Sequence, residues 1–496
     1  MRKRPNILFC IADDASHFGY NGHGAIRTPH IDRLAEHGAI LANAFTTNPK
    51  CAPSRACILT GMFPWQLREG CNHVSFFPDN FSVYPDILEA AGYAVGYTGK
   101  GWAPGDYIRS GRTRNPAGPE FNEQVLMPPQ DSRISDCDYA ANFAQFLTAK
   151  QDQTPFCFWY GCREPHRPYN LGESCDESVG VDDVQYVPSY WPDEPLIRRD
   201  ILDYAFEINW FDRHIGKMVA MLEASGQLDD TLILVTSDNG MPFPRVKGQM
   251  YEQDFHLPMV AFWKNKIAPG TCLQDLISFV DLAPTFLEAA GIASGDMTGQ
   301  SFLPLLTGGR ETADRQYVYF GREKHDVGRE NDLGYPVRCI RSQNWLYIRN
   351  ARPDRWPSGN PETQYTNCDF SPTKERIMQL AAEGQPDYLE ACFGKRPAEE
   401  LYAVQSDEEC RNNLADDPKY LSVKDQLSQD LDRKLAQTED PRYLGKGDVF
   451  DQYPLYRNHI APHAWASYLQ GTFRPIGPPY DRVKCMAEKN ADSRKD

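Results

Sequence analysis

Oxygen-bearing side chains stand in pairs where two apolar runs end. NILFCIA (6–12) is followed at once by Asp13 and Asp14, and LILVTSD (232–238) closes on Asp238, Asn239 and Gly240. Adjacent carboxylates repel each other and lose hydration on burial, so a buried strand end holds them only with a compensating cation. Each pair also has a local alternative: a helix cap for the first, a tight turn favouring positive φ for the second. Together, Asp13, Asp14, Asp238 and Asn239 make an all-oxygen donor set that suits Ca2+ or Mg2+ and not zinc. The two pairs support one another only if their strands are neighbours, at the carboxyl edge where open α/β sheets bind ligands. A third cluster, Cys51-Ala52-Pro53-Ser54-Arg55-Ala56-Cys57-Ile58-Leu59-Thr60-Gly61, sets a thiol one helical turn ahead of a guanidinium.

The elements that must position these groups follow from hydrophobic periodicity. Segments 6–12, 94–99, 155–162 and 232–238 are short apolar runs rich in β-branched and aromatic residues, which predict buried parallel strands. Helical patterns alternate with them at 28–38, 84–93, 199–225 and 278–292. The first has Thr28 as cap, Pro29 in the first turn and Gly38 as stop. This alternation predicts an α/β domain over 1–330, with a large, mostly parallel sheet flanked by helices. Beyond 330 the texture changes: PVRCIRSQNWLYIRN (336–350) reads as two antiparallel strands about Ser342-Gln343-Asn344. LYAVQSDEECRNNLADDPKY (401–420) reads as a strand, a polar turn and a helix start. Residues 331–496 are therefore expected to form a smaller α+β subdomain with an antiparallel sheet, irregular from about 441 onward.

Composition excludes several classes. The 496 residues are 41% apolar and 12% aromatic, enough to build a sizeable core. Acidic residues outnumber basic ones 68 to 52, for a net charge of −16, opposite to the balance of a phosphate-neutralising nucleic-acid binder. No nucleic-acid partner is expected, and an anionic substrate would need a local positive pocket. No apolar run approaches the ~20 residues that span a bilayer, so no membrane association is expected. The apolar run Ile7 to Ala12 falls short of a signal-peptide core and meets Asp13, so it reads as a strand and not as an export leader. The compartment stays open: cytoplasmic if the chain is complete, periplasmic, secreted or lysosomal if a leader was removed. The 14 cysteines show no CxxC and no zinc spacing, and most read as small buried hydrophobes. Cys162, Cys175 and Cys392 would pair only in an oxidising compartment.

The third cluster carries a resemblance. CxPSRxxxLTG, as Cys51 to Gly61, is similar to the signature of the type I sulfatases, whose fold resembles that of alkaline phosphatase. The resemblance implies conversion of Cys51 to formylglycine by a maturation enzyme, and a bound divalent cation held by Asp13, Asp14, residue 51, Asp238 and Asn239. A hydrated aldehyde offers a geminal diol, one hydroxyl to attack sulfur and the other to expel sulfate by re-forming the carbonyl. The cation would polarise the sulfate oxygens. By the same resemblance Arg55 holds the diol, Lys100 of TGK (98–100) contacts sulfate, and His166 of REPHRPY (163–169) faces the leaving group. Lys247, after DNG, takes the second basic position, with Arg245 as a substitute if the register shifts. One departure stands out: most relatives have a histidine where this chain has Trp102, which leaves the base for sulfate release unassigned, with His73 as a candidate.

Within the family the chain resembles the heparan N-sulfatase group, through TSDNGMPFP (236–244) and YPVRCIRSQNWLYIRN (335–350). Lys247 and Trp102 depart from the animal pattern. The expected reaction is removal of the N-sulfate of terminal glucosamine in heparan-type saccharides. The alternatives are an O-sulfatase on another sugar, a phosphonate monoester or phosphodiester hydrolase, and a non-catalytic glycan binder. Glu164, His325, Asp326, Arg338, His73 and Trp102 are candidates for the substrate pocket, with Trp102 as a stacking wall. Oligomeric state is not legible.

Overall fold

The computed structural model describes residues 4–21, 24–174, 179–309, 315–325, 327–456 and 464–474. Its main sheet contains β1 (Asn6–Ala12), β2 (Ala39–Phe45), β3 (Ala94–Gly99), β4 (Phe156–Gly161), β5 (Thr231–Ser237), β6 (Val260–Phe262) and β7 (Thr271–Ser278). The order is β7-β2-β6-β5-β1-β4-β3, with His256–Leu257 pairing onto β2. β1 lies parallel to both β4 and β5, as do β3 to β4 and β7 to β2. The short β6 runs antiparallel to β5 and β2, and His256–Leu257 is likewise antiparallel to β2; the other pairings are parallel.

Every residue of β1 and β5 is buried, as expected of strands covered on both faces. Alternation divides them: Ile7, Phe9, Ile11, Leu232 and Leu234 join one apolar layer. Leu8, Cys10, Ala12, Ile233 and Val235 join the other. The first layer packs on α2 (Cys51–Thr60), α3 (Tyr84–Ala90) and α6 (Leu282–Ala289), the second on α1 (Pro29–Glu36), α4 (Tyr139–Ala149) and α5 (Pro195–Ala224). The four helical patterns read from sequence correspond to α1, α3, α5 and α6. Among the described residues no helix is long and apolar enough to cross a membrane.

A second, four-stranded antiparallel sheet follows in chain order: β8 (Val318–Arg322), β9 (Val337–Arg341), β10 (Trp345–Asn350) and β11 (Glu399–Ala403). β9 and β10 are the hairpin expected around 342–344. β8 precedes residue 330, so the small sheet recruits a strand from the first segment. Cys162 and Cys392 are free and buried, and Cys175 lies outside the described residues.

An ion pair fastens the two sheets. Arg341 on β9 donates Nε to Glu252 Oε1 at 2.7 Å and Nη2 to Oε2 at 3.3 Å, and His256 Nδ1 lies 3.3 Å from Oε2. Burial pushes the Glu252 carboxyl up, but His256 and Arg341 outweigh it and hold it at about 2. The folded state thus binds fewer protons than the unfolded chain between these values. The stabilisation is full above the unfolded value near 4.5 and fades as pH falls through about 2. Denaturant titrations from pH 6 to 2 should show Glu252→Gln losing about 3 kcal/mol at neutral pH. The variant's stability should also vary less over the acid limb.

Candidate active site

The neighbouring-strand condition is met. β1 and β5 pair in register with Ala12 opposite Ser237, so Asp13-Asp14 and Asp238-Asn239 leave the sheet side by side. Asp14 turns into the left-handed region, with φ at 78°. Its N–H donates to Asp238 Oδ1 at 3.1 Å, and its Oδ1 accepts from Asn239 Nδ2 at 2.7 Å. Ala15 N donates to Ser237 Oγ at 2.7 Å, pinning the same junction.

α2 presents residue 51 to this edge. Extended Lys50 precedes it, Cys51 is its first residue, and Gly61 ends it at φ 65°, donating to Cys57 O. All ten residues are buried, so no amphipathic stripe marks this helix. Cys51 Sγ lies 3.8 Å from Asp14 Oδ1. Ser54 Oγ donates to Asp238 O at 2.7 Å. Arg55 donates Nε to Asp238 Oδ2 at 2.7 Å and Nη1 to Lys100 O and Gly101 O at 2.6 and 3.0 Å. Its Nη2, 3.6 Å from Asp13 Oδ1, has no hydrogen-bond partner among the described residues and remains an available donor. Arg55 is therefore a strut that braces two strand ends and keeps one N–H in reserve.

Three further nitrogen-bearing side chains complete the centre. Lys100 follows the end of β3 and sets Nζ 2.5 Å from Asp13 Oδ2. Lys247 Nζ lies between Asp14 Oδ2 at 2.6 Å and Asp369 Oδ2 at 3.0 Å. His166 follows β4; its Nδ1 meets Arg167 O at 2.5 Å, which turns Nε2 toward Asp14 Oδ2, 3.9 Å away. Burial pushes the Asp13 carboxyl up, but Lys100, His166 and Arg55 overcome it and hold it well below the usual range. Asp238 goes the other way, to about 7, because burial and the charge of Asp13 prevail over Arg55 and Lys100. Burial alone would lower Lys247, yet Asp14 and Asp369 raise it well above the ordinary lysine value.

The residues fit a hard cation. Ligand atoms of Asp13, Asp14, Cys51 and Asp238 all lie within 4.8 Å of one another. Asp13 Oδ1 and Asn239 Oδ1 are buried and accept no hydrogen bond from the described residues, an arrangement that strands two oxygens unless an ion takes them. The thiol of Cys51 is the soft donor in this set, and an oxygen-bearing side chain there would match the rest.

Above this floor opens a cavity of about 830 Å³, lined by Asp13, Lys100, His166 and Lys247, while Cys51, Asp14, Arg55, Asp238 and Asn239 sit beneath it. Of the pocket candidates, His73 and Glu164 line the cavity. The Glu164 carboxylate is already engaged by Ser135 N and Tyr139 Oη, both at 2.8 Å, so it shapes the wall. Three expectations are corrected. Trp102 is no stacking platform: its indole is 1% exposed in the apolar layer, edge-on to Phe77. Arg338 is buried in the small sheet, paired with Asp440 and Glu323, both at 2.8 Å. His325 is buried behind the cavity, its Nε2 2.9 Å from Asn48 Oδ1. Asp326 lies outside the described residues.

Comparisons with known proteins give the family. A family model described as Sulfatase matches residues 5–292. The chain belongs to the sulfatase family. It is thus a hydrolase, and a second model, described as N-sulphoglucosamine sulphohydrolase, C-terminal, matches 246–356. Among relatives, an ulvan-active sulfatase of Formosa agariphila is 28% identical over 483 residues, covering 91% of this chain and 78% of that protein. The N-sulphoglucosamine sulphohydrolase of Homo sapiens is 28% identical over 500 residues, covering 91% of this chain and 94% of that one. A structure solved in complex with its substrate D-glucosamine-2-N,6-O-disulfate superposes with a TM-score of 0.62 at 21% identity, over 88% of this chain and 99% of that chain. That likeness establishes the alkaline-phosphatase-like sulfatase fold.

Sequence reasoning missed Asp369 and Lys50. Both belong to irregular backbone, and Asp369 reaches the centre from 122 residues beyond its partner Lys247, in a segment with no periodicity to mark it. Lys50 precedes the cysteine of the motif and lines the cavity.

Proposed function

We propose that this sulfatase acts on sulfated glycans and removes the N-sulfate of a terminal glucosamine in heparan-type saccharides. The observation that carries the reading is the meeting of residue 51 with three carboxylates, Lys100, His166 and Lys247 at the floor of one cavity. The C-terminal family match and the human relative support the N-sulfate over other positions. A cavity of this size suits one or two sugar units, and an acidic chain is a poor docking face for a long polyanion.

Converted to formylglycine and hydrated, residue 51 supplies a geminal diol, one hydroxyl to attack sulfur and one to release sulfate as the carbonyl re-forms. A Ca2+ or Mg2+ held by Asp13, Asp14, Asp238 and Asn239 would supply charge to polarise the sulfate oxygens. Arg55 orients the diol through its reserved Nη2 and keeps Asp238 in place. Lys100 binds a sulfate oxygen. His166 and Lys247 stabilise or protonate the departing nitrogen, since an amide-like anion is a poor leaving group. With Trp102 in the core, His73 and His166 are the histidines on the described cavity wall.

The deciding experiment measures sulfate release from N-sulfated and from 6-O-sulfated glucosamine, using protein co-produced with a formylglycine-generating enzyme. Release from the N-sulfated sugar alone is expected. Release from the 6-O-sulfated sugar alone would keep the chemistry and overturn the specificity.

A further inference from the structure

The segment that carries Asp369 is held from two sides. Lys374 Nζ donates to Tyr365 O at 3.0 Å and Cys368 O at 2.7 Å, and Lys50 Nζ donates to Asn367 O at 3.2 Å. Both lysines are buried and donate to these carbonyls, which fixes the backbone around Asp369. Asp369 itself is not sealed in. Its side chain is 28% exposed and lines the cavity, whereas Asp13, Asp14 and Asp238 keep 3% or less. Oδ2 meets Lys247 at 3.0 Å, and Oδ1 accepts no hydrogen bond from the described residues. Lys247 bridges Asp369 to Asp14, so a preorganised carboxylate with a spare acceptor stands one ammonium's width from the reacting centre.

Resting on the proposed sulfatase reaction at this site, we propose that Asp369 is a specificity-determining residue. It accepts a hydrogen bond from a hydroxyl or amino group on the sugar carbon next to the one bearing the scissile sulfate, and it rejects sugars sulfated at both positions. A donor there satisfies Oδ1. A second sulfate meets a like charge whose position the two lysines fix, and specificity of this kind rests on the repulsive element as much as on the attractive one. A deoxy analogue leaves the acceptor unpaired and should also be disfavoured.

The test compares kcat/KM of the mature enzyme, Asp369→Asn and Asp369→Ala on singly sulfated, vicinally disulfated and vicinally deoxygenated glucosamine. The unaltered enzyme should prefer the singly sulfated sugar. In Asp369→Asn that preference over the disulfated sugar should shrink at least tenfold, about 1.4 kcal/mol. The change should come mainly through KM of the disulfated sugar, a split that a merely structural role would not give. Equal preference in enzyme and variants overturns the proposal. Should the unaltered enzyme release sulfate from no sugar and from no aryl sulfate, the parent reading falls. Calorimetric titration with unsulfated glucosamine then decides Asp369 separately: tenfold weaker binding in Asp369→Asn supports the contact, and equal binding removes it.

Discussion

Cys51→Ala, produced together with a formylglycine-generating enzyme, is expected to lose sulfate release by about 10⁴-fold or more while folding as the parent does. The magnitude follows from removing the nucleophile and leaving the binding groups intact. Folding should survive because Ala is the best helix former and the thiol's polar contact is a weak one, 3.8 Å from Asp14. Sulfate release and the mass of the peptide containing residue 51 should be measured on the same preparations. Turnover retained in the Ala variant would remove residue 51 from the mechanism.

Asp238→Ala is expected to be as damaging to activity, by 10³-fold or more, but for a different reason, and it should weaken the fold as well. Asp238 accepts Arg55 Nε and Asp14 N–H and offers an oxygen to the ion site. Truncating it leaves the Arg55 guanidinium buried without its main partner, which typically destabilises by about 3–5 kcal/mol. Asp238→Asn separates the effects. It keeps a carbonyl oxygen for Asp14 N–H, so more of the stability should return while activity stays lost and calcium affinity, read by calorimetry, falls. A variant with normal calcium binding and normal turnover would sink the assignment of Asp238 to the ion.

Much of this centre was legible because parallel strands buried on both faces are short apolar runs, and polar residues at their ends announce themselves. Asp13, Asp14, Asp238 and Asn239 stand out on that ground alone. Their adjacency was not readable, since it depends on β1 lying between β4 and β5. The three-residue β6 is too short to have a period, so its reversal left no trace in the sequence. Trp102 was misread because a tryptophan two residues from a lysine expected to contact sulfate resembles a sugar platform. Instead Gly105 allows the ring to close down on the backbone: a Cβ there would sit 2.3 Å from the indole. Arg338 was misread because a strand arginine gives no hint of its facing acid, and Asp440 is 102 residues away.

The complete burial of α2 sets a time limit on any modification of the Cys51 thiol. In the folded chain the thiol lies beneath the cavity floor, 1% exposed, on a helix with no face open to solvent. An enzyme acting on this thiol would have to reach it before α2 docks, because the folded chain covers it. Under the proposed conversion to formylglycine, modification and folding would run as competing first-passage events, and their relative rates would set the fraction of chains that become competent. Growth conditions that slow folding should then raise that fraction, and chains that fold first would stay unconverted for as long as the core remains closed.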